Sequence, residues 1–342
     1  MASTVSSVQA ETKKAKRSKL PPETGIAVVV LILLCVGSLM TPDFLTVSNM
    51  AVLLLNGAVI AFLTLGQTFV LLTGGIDLSC GSVVAMTCVL GAVLMQYLHI
   101  PWILASVLVL GIGALVGIVS GLIITRTGVP PFIVTFAMLG VAASIPQIIT
   151  GAESIRITDL GFTFIGQSRI LTIPFPVLAL AIAAVAATLF LHRTVTGTHI
   201  YAVGGNADSA RLSGINTSGV IILVYALSGV CAACGGLIYA SRLMTGYPTA
   251  GRGDELFFSI AGAVVGGVSL FGGIGSVLGA MIGAILIASI SNFMNVMNVS
   301  AFWQPLVIGV IILFGVTFDT LRASGRLKLP KMFLGRKSSP SV

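Results

Sequence analysis

Long, nearly uninterrupted apolar runs follow one another along the chain, separated by short stretches of Gly, Pro, Asn, Asp and Ser. A helix needs about 20 apolar residues to cross a hydrocarbon core about 30 Å thick. Dividing the runs at their turn residues predicts spans at 25–40, 50–72, 79–98, 101–124, 130–150, 174–191, 217–240, 256–271, 276–297 and 301–321. A membrane barrel would show short segments alternating apolar and polar residues, and these runs are continuous. The pattern therefore predicts an all-α polytopic membrane protein with about ten transmembrane helices. The 50–98 and 256–297 stretches carry Gly-rich breaks that interrupt their helices.

Composition agrees with this reading. Of 342 residues, 56% are hydrophobic and 8% are charged, against about a quarter charged in an ordinary soluble domain. Mean hydropathy is +1.09. A soluble fold could not cover its surface with so few charges, and a disordered chain would be far less apolar.

The charges that do occur set an orientation. Residues 1–24 form a basic tail with Lys13, Lys14, Lys16, Arg17 and Lys19 ahead of the first apolar run. No small-x-small site precedes Thr41-Pro42-Asp43, which points to an uncleaved first span rather than a signal peptide. Ten spans place both termini on one side. With that side as cytoplasm, Arg126, Arg193, Arg211 and the basic residues of the 322–342 tail join the N-terminal five, giving 14 of the 18 Lys and Arg inside. Arg156, Arg169, Arg242 and Arg252 fall outside. This split follows the positive-inside rule.

Several kinds of chemistry find no support. No Gly-Lys dipeptide exists, so the phosphate-cradling loop G-x-x-x-x-G-K-[ST] is absent. No G-x-S-x-G elbow and no H-E-x-x-H pair occurs, so neither catalytic residues nor metal ligands are assigned. The basic residues fit membrane topology better than a nucleic-acid footprint. Cys35, Cys80, Cys88, Cys231 and Cys234 lie in or beside apolar runs, against a disulfide framework. Cys231 and Cys234 read as small packing residues. Gly113, Gly117 and Gly121, and likewise Gly275, Gly279 and Gly283, each make a groove for close helix approach. Packing within the chain is the leading use, with a dimer contact or a path lining as alternatives.

Three polar stretches interrupt the pattern. In Thr73-Gly74-Gly75-Ile76-Asp77-Leu78-Ser79-Cys80-Gly81-Ser82, Asp77 stands between two apolar runs, where an ionisable group is expensive. It either caps the following helix, serves substrate passage or gating, or couples to protons. In the loop 192–216, Asn206 suits a helix N-cap, Asp208 and Arg211 complement the helix dipole, and Gly214 suits the left-handed position past the helix end. Gly204 and Gly205 would let the chain turn sharply into it. Such a knob is either loop packing or a grip for another protein. The third stretch is Gly253-Asp254-Glu255-Leu256, with Gly266-Gly267 and Phe271-Gly272-Gly273-Ile274-Gly275-Ser276 beyond it. Gly-Gly-Ile followed by Gly-Ser therefore occurs in both halves, the signature of paired interruptions in a transporter repeat.

Together, these blocks resemble the permease subunits of ribose-type ABC sugar importers, from about Asp43 to Asp319. The carriers are Gly74-Gly75-Ile76-Asp77-Leu78-Ser79, Tyr201-Ala202-Val203-Gly204-Gly205-Asn206 with Ala210-Arg211-Leu212-Ser213-Gly214-Ile215, and Glu255-Leu256 with Gly266-Gly267-Val268-Ser269-Leu270-Phe271-Gly272-Gly273. Cys80 stands where the family usually has Val, and Phe257-Phe258 replace a more polar or small pair. The resemblance implies a type II importer permease of two pseudo-repeated halves in a bacterial inner membrane. Its implied partners are ABC ATPase subunits carrying ATP and Mg, a second permease copy, a periplasmic sugar-binding protein and membrane lipid. No cofactor is implied in this chain.

It further implies that Gly204, Gly205, Asn206, Asp208, Arg211, Leu212, Ser213 and Gly214 form the coupling element seated on the ATPase. Sugars are neutral, so Asn56, Phe62, Thr64, Gln67 and Thr68, with Asp77, are the candidate path lining. Arg242, Arg252, Asp254 and Glu255 are candidates for docking the binding protein. The expected function is import of a monosaccharide or similar polyol by alternating access, without an ATPase site in the chain itself. The rival is a self-contained secondary transporter or channel.

Overall fold

The computed structural model describes residues 23–251, 253–300 and 302–323. Most of the two basic tails, and Arg252, lie outside the described residues. The described residues are mostly helical. The main helices are α1 (Thr24–Met40), α2 (Val47–Leu72), α3 (Cys80–Gln96), α4 (Trp102–Thr127), α5 (Pro131–Thr150), a short α6 (Thr163–Gln167) and α7 (Phe175–Arg193). They continue with α8 (Val195–Gly205), α9 (Ala207–Leu212), α10 (Thr217–Leu243), α11 (Glu255–Val265), α12 (Val277–Val296) and α13 (Trp303–Ala323). Two small antiparallel pairs join Ile155–Arg156 to Thr245–Gly246 and Arg169–Ile170 to Ile173–Pro174.

Each expected span contains one helix. Six, namely α2, α4, α5, α7, α10 and α12, are long and apolar enough to cross a membrane. α1, α3 and α11 are shorter apolar helices, and the apolar stretch of α13 runs over Trp303–Thr317. The expected 256–271 span differs most: α11 stops at Val265, because Gly267 enters the left-handed region at φ +88° and the chain turns. The 266–276 break then leads into α12, whose start is capped by Ser276 Oγ accepting from Gly279 N at 3.0 Å. Residues 195–205 were expected as loop and form α8, capped by Thr194.

α10 is the central post, packed against α2, α3 and α4. Its closest approach is to α4, where both backbones lack side chains at the crossing. A Cβ on Gly117 would lie 2.0 Å from the Tyr225 carbonyl oxygen, and one on Gly229 would lie 2.0 Å from that of Gly113. The second groove packs α12 on α11: a Cβ on Gly283 would lie 2.0 Å from the Gly262 oxygen. Both glycine grooves are thus filled from within the chain. Outward faces remain apolar, with Leu31, Ile103, Val107, Phe136, Ile182, Val185 and Leu313 all exposed. That is the surface a bilayer or a second apolar subunit would cover.

Candidate functional site

Three features flagged separately by the sequence meet at one point. The break after α2, the break after α11 and the end of α8 each bring a Gly-Gly pair there. Gly273 N donates to Leu72 O at 2.9 Å, joining the two breaks by a backbone hydrogen bond. Gly74, Gly272 and Gly273 all have positive φ, at +78°, +84° and +72°, which explains glycine at these turns. Gly204 presses between both breaks: a Cβ there would stand 1.8 Å from Leu72 O and 2.5 Å from Gly273 N. Tyr201 on the same helix donates its hydroxyl to Gly275 O at 3.0 Å. Gly204 and Gly205 were expected to form a sharp turn. They instead finish α8, and Gly204 acts as a contact point.

α9 projects from this junction. Asn206 Oδ1 accepts from Ser209 N at 2.8 Å, Gly214 takes φ +83°, and Arg211 pairs with Asp208 at 3.3 Å. Ala210 is buried and fixes the helix. Gly205, Asn206, Asp208, Arg211, Leu212, Ser213 and Gly214 are exposed, Leu212 at 87%. The short helix is anchored at its base and presents an apolar tip beside a charged pair.

Asp77 occupies the second feature, a buried knot in the α2–α3 connector. Its Oδ1 accepts from Ser79 N (2.9 Å) and Ser79 Oγ (2.6 Å), and its Oδ2 accepts from Ser228 Oγ of α10 (2.6 Å). Gln67, with its amide oriented to match, holds the Asp77 backbone by a pair of bonds at 3.1 and 3.3 Å. Thr135 of α5 donates to Ile76 O at 3.0 Å, and Tyr225 of α10 to the same oxygen at 3.4 Å. The segment is therefore fastened to three helices. Among the other expected path residues, Phe62, Thr64, Gln67 and Thr68 are all buried. Thr64 and Thr68 return their hydroxyls to carbonyls one turn back, at 2.8 and 2.7 Å. These four positions are packed inside the bundle and do not line the cleft described next.

The third feature is a cleft of about 310 Å³ at the end of the bundle where α2, α11 and α13 begin and α10 and α12 end. It brings Asn56 together with Arg242, Asp254 and Glu255, which the sequence assigned to different tasks. Arg242 Nη1 donates to Asn56 Oδ1 at 3.0 Å, and the Tyr239 hydroxyl donates to Glu255 Oε1. Burial lifts the Asp254 carboxyl above its ordinary pKa, and the neighbouring Glu255 charge adds to the rise. Val59, Ile60 and Phe258 supply an apolar floor, and Ser291 and Gln304 complete the polar wall. Sequence reasoning missed Tyr239, Ser291, Gln304 and Ser228. The available signal was a polar group within an otherwise apolar helix, which is common enough to pass unnoticed.

The model of the family described as "Branched-chain amino acid transport system / permease component" matches residues 49–316. A ribose import permease protein of Escherichia coli K12 is 36% identical over 85% of this chain and 92% of its own length. The D-allose transport system permease protein of the same strain is 33% identical, covering 86% and 90%. An L-arabinose ABC transporter permease protein of Azospirillum brasilense is 34% identical, covering 89% of each. No solved structure gives a significant match. The chain is a multi-pass membrane protein that belongs to this family of transport-system permease components, on the ribose-type side that its glycine motifs resemble.

Proposed function

We propose that the chain is the membrane-spanning subunit of an ABC importer for a monosaccharide or similar neutral polyol. Partner ATPase subunits, carrying ATP and Mg, drive it, and it works beside a second permease copy. A soluble sugar-binding protein delivers substrate on the face opposite α9. On this reading both termini are cytoplasmic and the membrane is the bacterial inner membrane. The 14-to-4 distribution of basic residues supports that orientation. The relatives named for ribose, allose and arabinose support the substrate class. The observation that carries the coupling is the glycine junction. α9 and α8 form one arm, and that arm rests directly on both helix breaks. Movement of α9 by an ATPase would reach α2, α3, α11 and α12 without an intervening flexible segment. Reconstitution with and without ATPase subunits tests the proposal. Uptake that follows ATP supports it, and uptake driven by an ion gradient alone refutes it.

The exposed Asp208–Arg211 pair separates coupling from folding. An ion pair this open contributes little to stability. Arg211→Glu is therefore expected to leave the melting temperature in detergent within a degree or two, while ATP-driven uptake falls at least tenfold. Wild-type uptake by a variant that still co-purifies with the ATPase would remove α9 from the coupling role.

A further inference from the structure

We propose that the cleft between α2, α10, α11, α12 and α13 is a hydroxyl-binding subsite for the transported polyol, with Glu255 as acceptor and Arg242 as opposing donor. The inference rests on the importer reading above and adds to it. It makes part of the sugar selectivity a property of this chain and not only of the soluble binding protein.

The first support is an incomplete hydrogen-bond inventory. Glu255 Oε1 is held by the Tyr239 hydroxyl, but Oε2 is buried and has no partner among the described residues. Leaving such an acceptor unsatisfied is costly, and a carboxylate oxygen has lone pairs for more than one donor. The second support is that Glu255 and Arg242 line one cleft without forming an ion pair. Among the described residues the only salt bridge is Arg211–Asp208. Arg242 spends one N–H on Asn56 and keeps others free of any carboxylate. An acceptor-only group and a donor-only group, held apart, suit a ligand whose neighbouring groups each donate and accept. Hydroxyls do both.

The third support is the floor. Val59, Ile60 and Phe258 are buried and apolar, matching the C–H face that a sugar presents between its hydroxyls. The cleft volume falls at the small end for ligand pockets. A cation fits less well. No group of three or more His, Cys, Asp or Glu is placed to hold a metal among the described residues, and the Arg242 charge lines the same space. Docking of the binding protein was the expected role for Arg242, Asp254 and Glu255. A buried carboxylate oxygen in the lining of a cleft is less suited to a protein surface laid across the rim than to a small solute that enters it.

The test has two arms. In the first, the detergent-purified permease–ATPase complex, without binding protein, is mixed with D-ribose, D-allose or L-arabinose, and sugar contact is read by saturation-transfer NMR. In the second, ATP-dependent uptake of the same three labelled sugars is measured in proteoliposomes with the complete importer. Wild-type complex should give transfer signals for whichever sugar it transports. Glu255→Gln and Arg242→Gln should each weaken them at least fivefold and change the ratio of uptake among the three sugars. Glu255→Gln preserves size and the Tyr239 contact, so it remains informative if Arg242→Gln does not fold. If wild type transports a sugar, but its signals are absent or equal to those of Glu255→Gln, the subsite is overturned and the importer reading stands. It is equally overturned if the variants lose uptake solely through weaker binding-protein affinity for the complex, which would return these residues to docking. If wild type takes up none of the three sugars with ATP, the subsite is overturned as a site for them, and the importer reading is decided separately by reconstitution with and without ATPase subunits.

Discussion

Gly204→Ala is expected to lower ATP-driven uptake by at least tenfold and to reduce the melting temperature, while Gly205→Ala leaves both near wild type. The two residues are adjacent at the end of α8 and face different surroundings. An added methyl at Gly204 meets Leu72 O at 1.8 Å and Gly273 N at 2.5 Å. Both are backbone atoms, so no rotamer change relieves the clash. Either α8 lifts from the breaks or the Leu72–Gly273 hydrogen bond opens. Overpacking of this kind costs about 1–3 kcal/mol. A methyl on Gly205 meets nothing within 4 Å, and its φ is not in the left-handed region. Alanine there should fold at least as well, since glycine weakens a helix by about 0.5–1 kcal/mol relative to alanine. Uptake, ATP turnover and detergent melting measured side by side decide the matter. Equal behaviour of the two variants would show that close packing of α8 on the breaks is not what transmits motion.

That prediction depends on contacts the sequence could not supply. The sequence did place the helices well, because long apolar runs and their turn residues report on local free energy alone. α5, for example, opens at Pro131 and ends at Gly151 with φ +63°, the signals that punctuate any helix. The 206–214 element was equally legible, since Asn206, Asp208, Arg211 and Gly214 all act within one short stretch. α8 was not, because Thr196, Gly197 and Gly204 have poor helix propensity, and the helix is held by burial of Ile200 and Val203.

The Gly-Gly pairs were visible one by one, but their meeting is a tertiary fact. Leu72 and Gly273 are neighbours only because α2 and α11 bring their breaks to one level. The path assignment shows the same limit. Gln67, Thr64 and Asn56 look alike as polar positions in one span, yet Gln67 and Thr64 are consumed by structural hydrogen bonds and Asn56 opens into the cleft. Polarity in a span marks a need for partners, and only packing decides whether a partner is backbone, side chain or solute.

Asp77→Ala is expected to leave little folded protein, whereas Asp77→Asn is expected to fold and transport close to wild type. The carboxylate receives three donors, Ser79 N, Ser79 Oγ and Ser228 Oγ. Removing it strands buried donors at about 1–3 kcal/mol each, beside a new void. Losing two of them removes much of a stability that is typically about 5–15 kcal/mol. The loss also removes the Ser228 tie to α10, so that Gln67, Thr135 and the longer Tyr225 bond are left to hold the break. Asparagine keeps one oxygen for the Ser79 donors. Its amide can donate to the Ser228 hydroxyl, which accepts as readily as it donates. The pair of substitutions therefore separates the roles left open by the sequence. Folded yield by size-exclusion chromatography and uptake per folded transporter are the measurements. A bracing carboxylate predicts low yield for alanine and normal uptake per molecule for asparagine. If Asp77→Asn instead folds normally and transports nothing, the negative charge itself acts in passage, gating or proton coupling. The dependence of wild-type uptake on a proton gradient would then distinguish proton coupling from the other two.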